Sequence, residues 1–387
     1  MADDTLVRWR RDLHRIPELG HQEYQTADYL ERVLRDELGL VPRRLTATGL
    51  VADIDGRGGA GPTLVVRADM DGLPLAEESG EPFASEHPGV MHACGHDAHM
   101  AIALGLGARL VRDPGFPGRV RLLFQPSEEV VPGGALDMIA AGALEDAAGV
   151  LGLHVWAEMP VGVAGLAAGP VTANADRFQI IVQGRGGHGS EPQRTQDAAL
   201  IAAETVVALQ SIVSRRLDPQ EPAVVTVGII RAGSAFNIIA DRAELYGTVR
   251  TFSPEARRLV EAAIGQIAEH TAAMHGAQAE YTYWPGYPAV VNHPAVVRHW
   301  REALEGVVTV VDIRPTMVGE DYAYYLQHRP GAFLYLGARP EGGDPAPHHS
   351  PRFRLHEAAL PLGVAVLERG VRVFLARPEL LRGPAGG

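Results

Sequence analysis

The stretch Val90 to Val111, VMHACGHDAHMAIALGLGARLV, constrains the fold of this chain more than any other. It opens with metal-capable side chains, His92, Cys94, His96, Asp97 and His99, and then runs apolar and Ala/Leu/Gly-rich until Arg109. A helix that is apolar all round is a buried helix. Thiolate and imidazole groups at its N-terminal end therefore sit on a rigid interior support, where a bound cation is the usual compensation for lost water. The plainer alternative is one buried cysteine beside capping and core histidines.

At 387 residues two domains are expected, and a composition 46% hydrophobic and 21% charged supplies material for both cores. The formal charge of -12, with no Lys/Arg run, argues against a nucleic-acid or anionic-membrane partner. A single cysteine excludes an intrachain disulfide framework and points to a reducing compartment. The start, MADDTLVRWRRDLHRIPELG, is amphipathic with early acids and lacks an apolar signal core. No uncharged apolar run reads as long enough to span a bilayer; VGVAGLAAGPV is short and broken by Gly and Pro. The expectation is a soluble, cytoplasmic protein.

Along the chain, Thr5 to Leu40 carries two helical patterns, Gly49–Asp55, Gly118–Phe124 and Val150–Val155 read as strands, and Pro62–Pro74 reads as a buried strand that ends in acids. Strands alternating with helices predict an α/β fold, a mostly parallel sheet with helices on both faces. Near Asn174 the pattern changes. Strand, helix, two strands, long helix and strand follow through Trp284, the order of an α+β, ferredoxin-like split βαβ unit. The boundaries expected are 1–173 and 285–387 for the first domain and 174–284 for the inserted one. Glu357–Ala376 reads as an amphipathic helix packing on the first domain, and the final Gly-Pro-Ala-Gly-Gly as disordered.

Open α/β sheets bind ligands beyond the carboxyl ends of their strands. There the chain offers Asp69 and Asp71, Glu128 and Glu129, His154 and His349, which with Cys94 and His96 gives five good donors: Cys94, His96, Glu129, His154 and His349. Five exceed what one tetrahedral zinc ion takes while keeping an open position, so two cations sharing a water fit better. Neighbours on an extended segment point opposite ways. One of Glu128 and Glu129 can then bind a cation while the other acts as general base. Cys94 as a thiol nucleophile is the rival reading, but His96 is poorly placed to activate it if it is itself a donor.

The runs RADMDGLPL, MHACGHDAHMA, QPSEE, GLHVW, GHGSEP, FNIIAD, GTVRTF, GEDYAYY and HHSPRF, in that order over nearly the whole chain, resemble the aminoacylase/hippurate hydrolase family of di-metal amidohydrolases, which includes auxin-conjugate hydrolases. The resemblance implies that Cys94, His96, Glu129, His154 and His349 bind two divalent ions, Mn²⁺ or Zn²⁺, and that Glu128 is the acid/base. It makes the inserted unit a lid that forms a homodimer, or a dimer-based tetramer. His188 resembles a lid histidine that stabilises the oxyanion, often in the partner's site. Asn237 and Arg250 resemble groups that contact the substrate carbonyl and carboxylate. Of the adjacent pair His348 and His349, the match to a His-Ser-Pro run selects His349 as donor. Asp69-Met-Asp71 stands where distant branches carry His-x-Asp, so these acids are expected to orient donor imidazoles. Ser127 replaces a commoner Ala, a change expected to be harmless, and Glu320 and Asp321 read either as helix caps or as supports of the site. The implied reaction is hydrolysis of N-acetyl or N-benzoyl amino acids. The alternatives are a metallo-dipeptidase or carboxypeptidase, or a metal-binding scaffold without turnover.

Overall fold

The computed structural model describes residues 3–342 and 345–381. The closing Gly-Pro-Ala-Gly-Gly lies outside the described residues. The chain divides into two units: one runs up to Val171 and takes in Val290–Arg314 and the chain from Asp321, and the other holds Thr172–Ala289 and Pro315–Glu320.

An eight-stranded sheet organises unit 1, in the order Arg43–Arg44, Leu50–Asp55, Arg119–Gln125, Thr63–Asp69, Ala147–Trp156, Gly331–Gly337, Val163–Gly165, Thr309–Val311. The four central strands are parallel, while Leu50–Asp55 and Val163–Gly165 run antiparallel to their inner neighbours. This is a mixed α/β fold with a mostly parallel central sheet. Its central strands are largely buried along their length because both faces are covered, with Arg67 and Arg121 as buried charges among apolar neighbours. Leu64 and Val66 point into the core formed with helices Asp3–Arg15, His96–Arg112, Pro294–Ala303 and Ala359–Ala376. Val65, one residue out of phase, points to the opposite core with Met138, Tyr322 and Phe333. The strands Val163–Gly165 and Thr309–Val311 were not expected; at three residues each they carry no readable alternation.

Unit 2 pairs strands Asn174–Gln183, Val224–Ala232, Arg242–Thr251 and Gln278–Tyr287 into one antiparallel sheet, with Arg242–Thr251 and Asn174–Gln183 central. Helices Ala198–Ser211 and Pro254–Met274 build a core on one face around Phe178, Ile180, Leu245 and Ile264. Among the described residues, Ala198–Arg216 is long and apolar enough to cross a membrane by length and composition. The Asp197 side chain caps its start, and Ile201, Ala202, Thr205 and Leu209 are buried on the sheet, while Leu200 and Val207 are exposed. Its high hydropathy comes from being apolar on the outer face as well as the inner one.

Candidate metal centre

The parallel strands Thr63–Asp69, Arg119–Gln125, Ala147–Trp156 and Gly331–Gly337 end on the same side of the sheet, and every candidate donor of unit 1 is found there. Asp69 closes its strand, Arg119–Gln125 leads through Pro126 and Ser127 to Glu128 and Glu129, and His154 lies two residues before the end of its strand. Cys94 and His96 flank Gly95, which enters the helix at φ 91°. A Cβ at Gly95 would lie 2.4 Å from Val155 Cγ2, so only glycine suits both the backbone and the space.

Three overlapping groups gather: Cys94 with His96 and His154, Cys94 with Glu129 and His349, and His96 with Glu128 and Glu129, donor atoms in each lying within 4.8 Å of one another. Cys94 Sγ is 3.4 Å from His154 Nε2, and His349 Nε2 is 3.1 Å from Glu129 Oε1. Backbone carbonyls fix the rings. His96 Nδ1 donates to Asp71 O at 2.9 Å and His154 Nδ1 to Val155 O at 2.7 Å, so each turns Nε2 into the cluster. His348 approaches Cys94 Sγ only to 3.8 Å, its Nε2 accepts the Ala157 amide at 3.2 Å, and its ring packs on Trp156 and Phe353. It forms a wall of the cluster, and His349 reaches the carboxylate.

The premise that Glu128 and Glu129 lie on an extended segment is corrected. Ser127 is left-handed at φ 55°, and both following residues sit in a bend that brings their carboxylates close to each other and to His96. Asp71 holds this bend, accepting the Glu128 amide at 3.0 Å and the Glu129 amide at 2.9 Å.

Electrostatics favours a cation. Burial pushes the Cys94 thiol well up, and the Glu129 and Glu128 charges add to it. Burial opposes charge on His96 too, yet Asp69 and then Asp71 outweigh it and push the ring up to about 10. Burial, then His99 and His348, holds His154 well below the usual histidine range. His96 Nε2 is buried without a hydrogen bond, and the buried Glu129 Oε1 has His349 Nε2 beside it at 3.1 Å. A thiol, three imidazoles and a carboxylate, packed among further acids, form a donor set that suits borderline divalent ions.

In unit 2, His188 pairs opposite Ile238 in a two-residue ribbon, and the Gly189 amide donates to Asn237 O at 2.9 Å, so His188 and Asn237 share one exposed turn. Arg250 lies at the far end of Arg242–Thr251, its guanidinium donating to Met317 O and Val249 O at 3.0 Å and to Thr248 Oγ1. It is not grouped with His188 and Asn237.

Two buried groups escaped the sequence reading. Arg67 donates to Asp69 at 2.6 Å, Asp321 at 2.8 Å and Gln125 at 2.8 Å, tying two strand ends to the turn before helix Ala323–His328. An arginine inside the apolar run LVVRA was the available signal. Glu23 accepts the Ser127 amide at 2.7 Å, and nothing in the polar stretch GHQEYQT marks it.

The sequence profile of peptidase family M20/M25/M40 matches residues 65–372. The chain belongs to this family. Among its relatives, N-acetyl-L-cysteine deacetylase of Bacillus subtilis is 39% identical over 360 residues, 92% of this chain and 85% of that one. Thermostable carboxypeptidase 2 of Saccharolobus solfataricus is 37% identical over 367 residues, 93% of each chain. A solved Bacillus subtilis structure, described as a dinuclear metal binding peptidase from the M20 family, superposes with a TM-score of 0.85 at 34% identity, covering 97% of this chain and 98% of that one. The resemblance to di-metal amidohydrolases read from the motifs lies within the M20/M25/M40 family, and the chain is a hydrolase of that family.

Proposed function

We propose that the chain hydrolyses N-acyl amino acids, typically N-acetyl or N-benzoyl amino acids, to a carboxylic acid and a free amino acid. The observation that carries this reading is the cluster of Cys94, His96, Glu129, His154 and His349 with the Glu128 carboxylate beside it. The deacetylase relative supports the acyl substrate. Those five residues would hold two divalent ions, zinc or manganese, which when bound polarise the substrate carbonyl and acidify water. Glu128, 6% exposed, takes the proton of the attacking water as oxygen bonds to the carbonyl carbon. It returns that proton to the amide nitrogen as the C–N bond breaks.

His188 and Asn237 supply donors to the carbonyl oxygen, and Arg250 receives the substrate carboxylate. The Ser190 amide donates to His188 Nδ1 at 3.1 Å, which makes Nε2–H the outward donor of the neutral ring. Arg242 pairs with Gln183 and Arg250 with Ala175, so eight residues, about 26 Å of strand, separate the two ends of Arg242–Thr251. His188 and Asn237 lie beyond the Arg242 end. One lid is too long to place all three on a small substrate. That favours a homodimer, or a dimer-based tetramer, in which each site draws its His188 and Asn237 from the partner. The single buried thiol favours the reducing cytoplasm.

The test is metal analysis of the purified chain followed by parallel assays of N-acyl amino acids and dipeptides. Faster turnover of acyl amino acids is expected. Preference for dipeptides would install the carboxypeptidase or dipeptidase reading, which the second relative favours. Bound metal with no turnover of either class would leave a metal-binding scaffold.

A further inference from the structure

Three consecutive backbone amides lead into Glu129, and two buried carboxylates receive them. Asp71 takes those of Glu128 and Glu129. Glu23, which is 0% exposed, takes that of Ser127 at 2.7 Å. The turn they hold is not one its own residues favour. Ser127 is left-handed without being glycine, and its hydroxyl is buried without a hydrogen bond. Such a conformation persists where the surroundings impose it.

Glu23 is built to impose it. Its Oε1 also accepts the amide of His21 at 3.0 Å, and His21 is itself left-handed at φ 64°. Oε2 accepts the Thr48 hydroxyl at 2.9 Å. The segment lies directly on the turn, since a Cβ at Gly20 would fall 2.7 Å from Ser127 Oγ. An acid merely filling this space would be a poor choice. Burial, and then the nearby Asp71 charge, push Glu23 up to about 7, and an apolar side chain would avoid that cost.

We infer that Glu23 is a positioning residue for the reaction, its carboxylate locking Ser127 in the left-handed turn that aims Glu128 at the donor cluster. The inference rests on the role proposed for Glu128, and it extends the working machinery to the N-terminal segment.

Two conservative variants of the full-length protein test it. Glu23→Gln keeps a carbonyl oxygen for both amides, and the Thr48 hydroxyl can turn to accept from the new amide. Glu23→Asp keeps the charge but draws the carboxylate back by about 1.5 Å. The expected result is kcat within about threefold of wild type for E23Q, and a fall of about tenfold or more for E23D at unchanged KM and metal content. The reverse order, equal losses, or near-wild-type kcat in both variants each overturns the inference. Amide hydrogen exchange of the same proteins gives an answer independent of substrate. The amides of residues 127–130 should exchange about tenfold faster in E23D than in E23Q. Wild-type protein without amidohydrolase activity would overturn the proposed function; indistinguishable exchange in the two variants would overturn the clamp.

Discussion

His99 donates Nδ1–H to Asp69 Oδ1 across 2.6 Å, and its Nε2 accepts the backbone amide of Val155 at 2.9 Å. Both nitrogens are thus engaged, and burial outweighs the Asp69 charge to lower the ring's affinity for a proton. The ring is a spacer between Asp69 and the strand bearing His154, lying 4.6 Å from the His154 ring. His99→Ala should therefore keep the full metal content while lowering stability by about 2–4 kcal/mol, through a cavity and two unpaired buried groups. Urea melts and elemental analysis check it together; loss of one ion per chain would make His99 a ligand.

Glu128→Gln removes the proposed proton acceptor and leaves Cys94, His96, Glu129, His154 and His349 unaltered. Metal content should be unchanged, with kcat lower by a factor on the order of 10² to 10⁴. Turnover at the wild-type rate would refute the assignment of the base.

Mixed dimers decide whether sites are shared. Glu128→Gln and His188→Ala should each be nearly inactive alone. Co-expressed, they should recover about a quarter of wild-type activity per site, since half the dimers are hybrids and one of their two sites is intact. If each lid served only its own chain, mixing would restore nothing.

Legibility in the sequence followed how local each determinant is. His154 and Glu129 could be found because apolar strands announce their own ends. The bend at Glu128 could not, since Ser127 owes its conformation to Glu23, 104 positions earlier in the chain. The three-residue strands Val163–Gly165 and Thr309–Val311 are defined by their partners and not by any period of their own. Pro315–Glu320 groups with unit 2 although it follows resumed α/β pattern, where the Ala173 amide donates to Val318 O at 3.0 Å. The outer face of Ala198–Arg216 looked unexceptional because Glu204 interrupts its apolar run.

A buried histidine away from the donors gives a pH signature. His14 Nδ1 lies 2.8 Å from Asp97 Oδ2 and its Nε2 3.1 Å from Glu77 Oε1. Burial opposes its charge, but Asp97 and then Glu77 prevail and raise its affinity for a proton. A raised folded value contributes stability that is full below the unfolded value near ~6.5 and fades as pH climbs through the folded one. The stability gap between wild type and His14→Gln should be wider at pH 6 than at pH 9 in urea melts. A gap constant across that range, or widening with pH, would contradict the ion-pair account.

The donors run from Cys94 to His349, and unit 2, with a core of its own, is spelled out between His154 and His349. During synthesis the insert can fold before the last candidate donor has left the ribosome. Ions captured once His349 emerges would tie early chain to late chain, which no fragment ending within the insert could do.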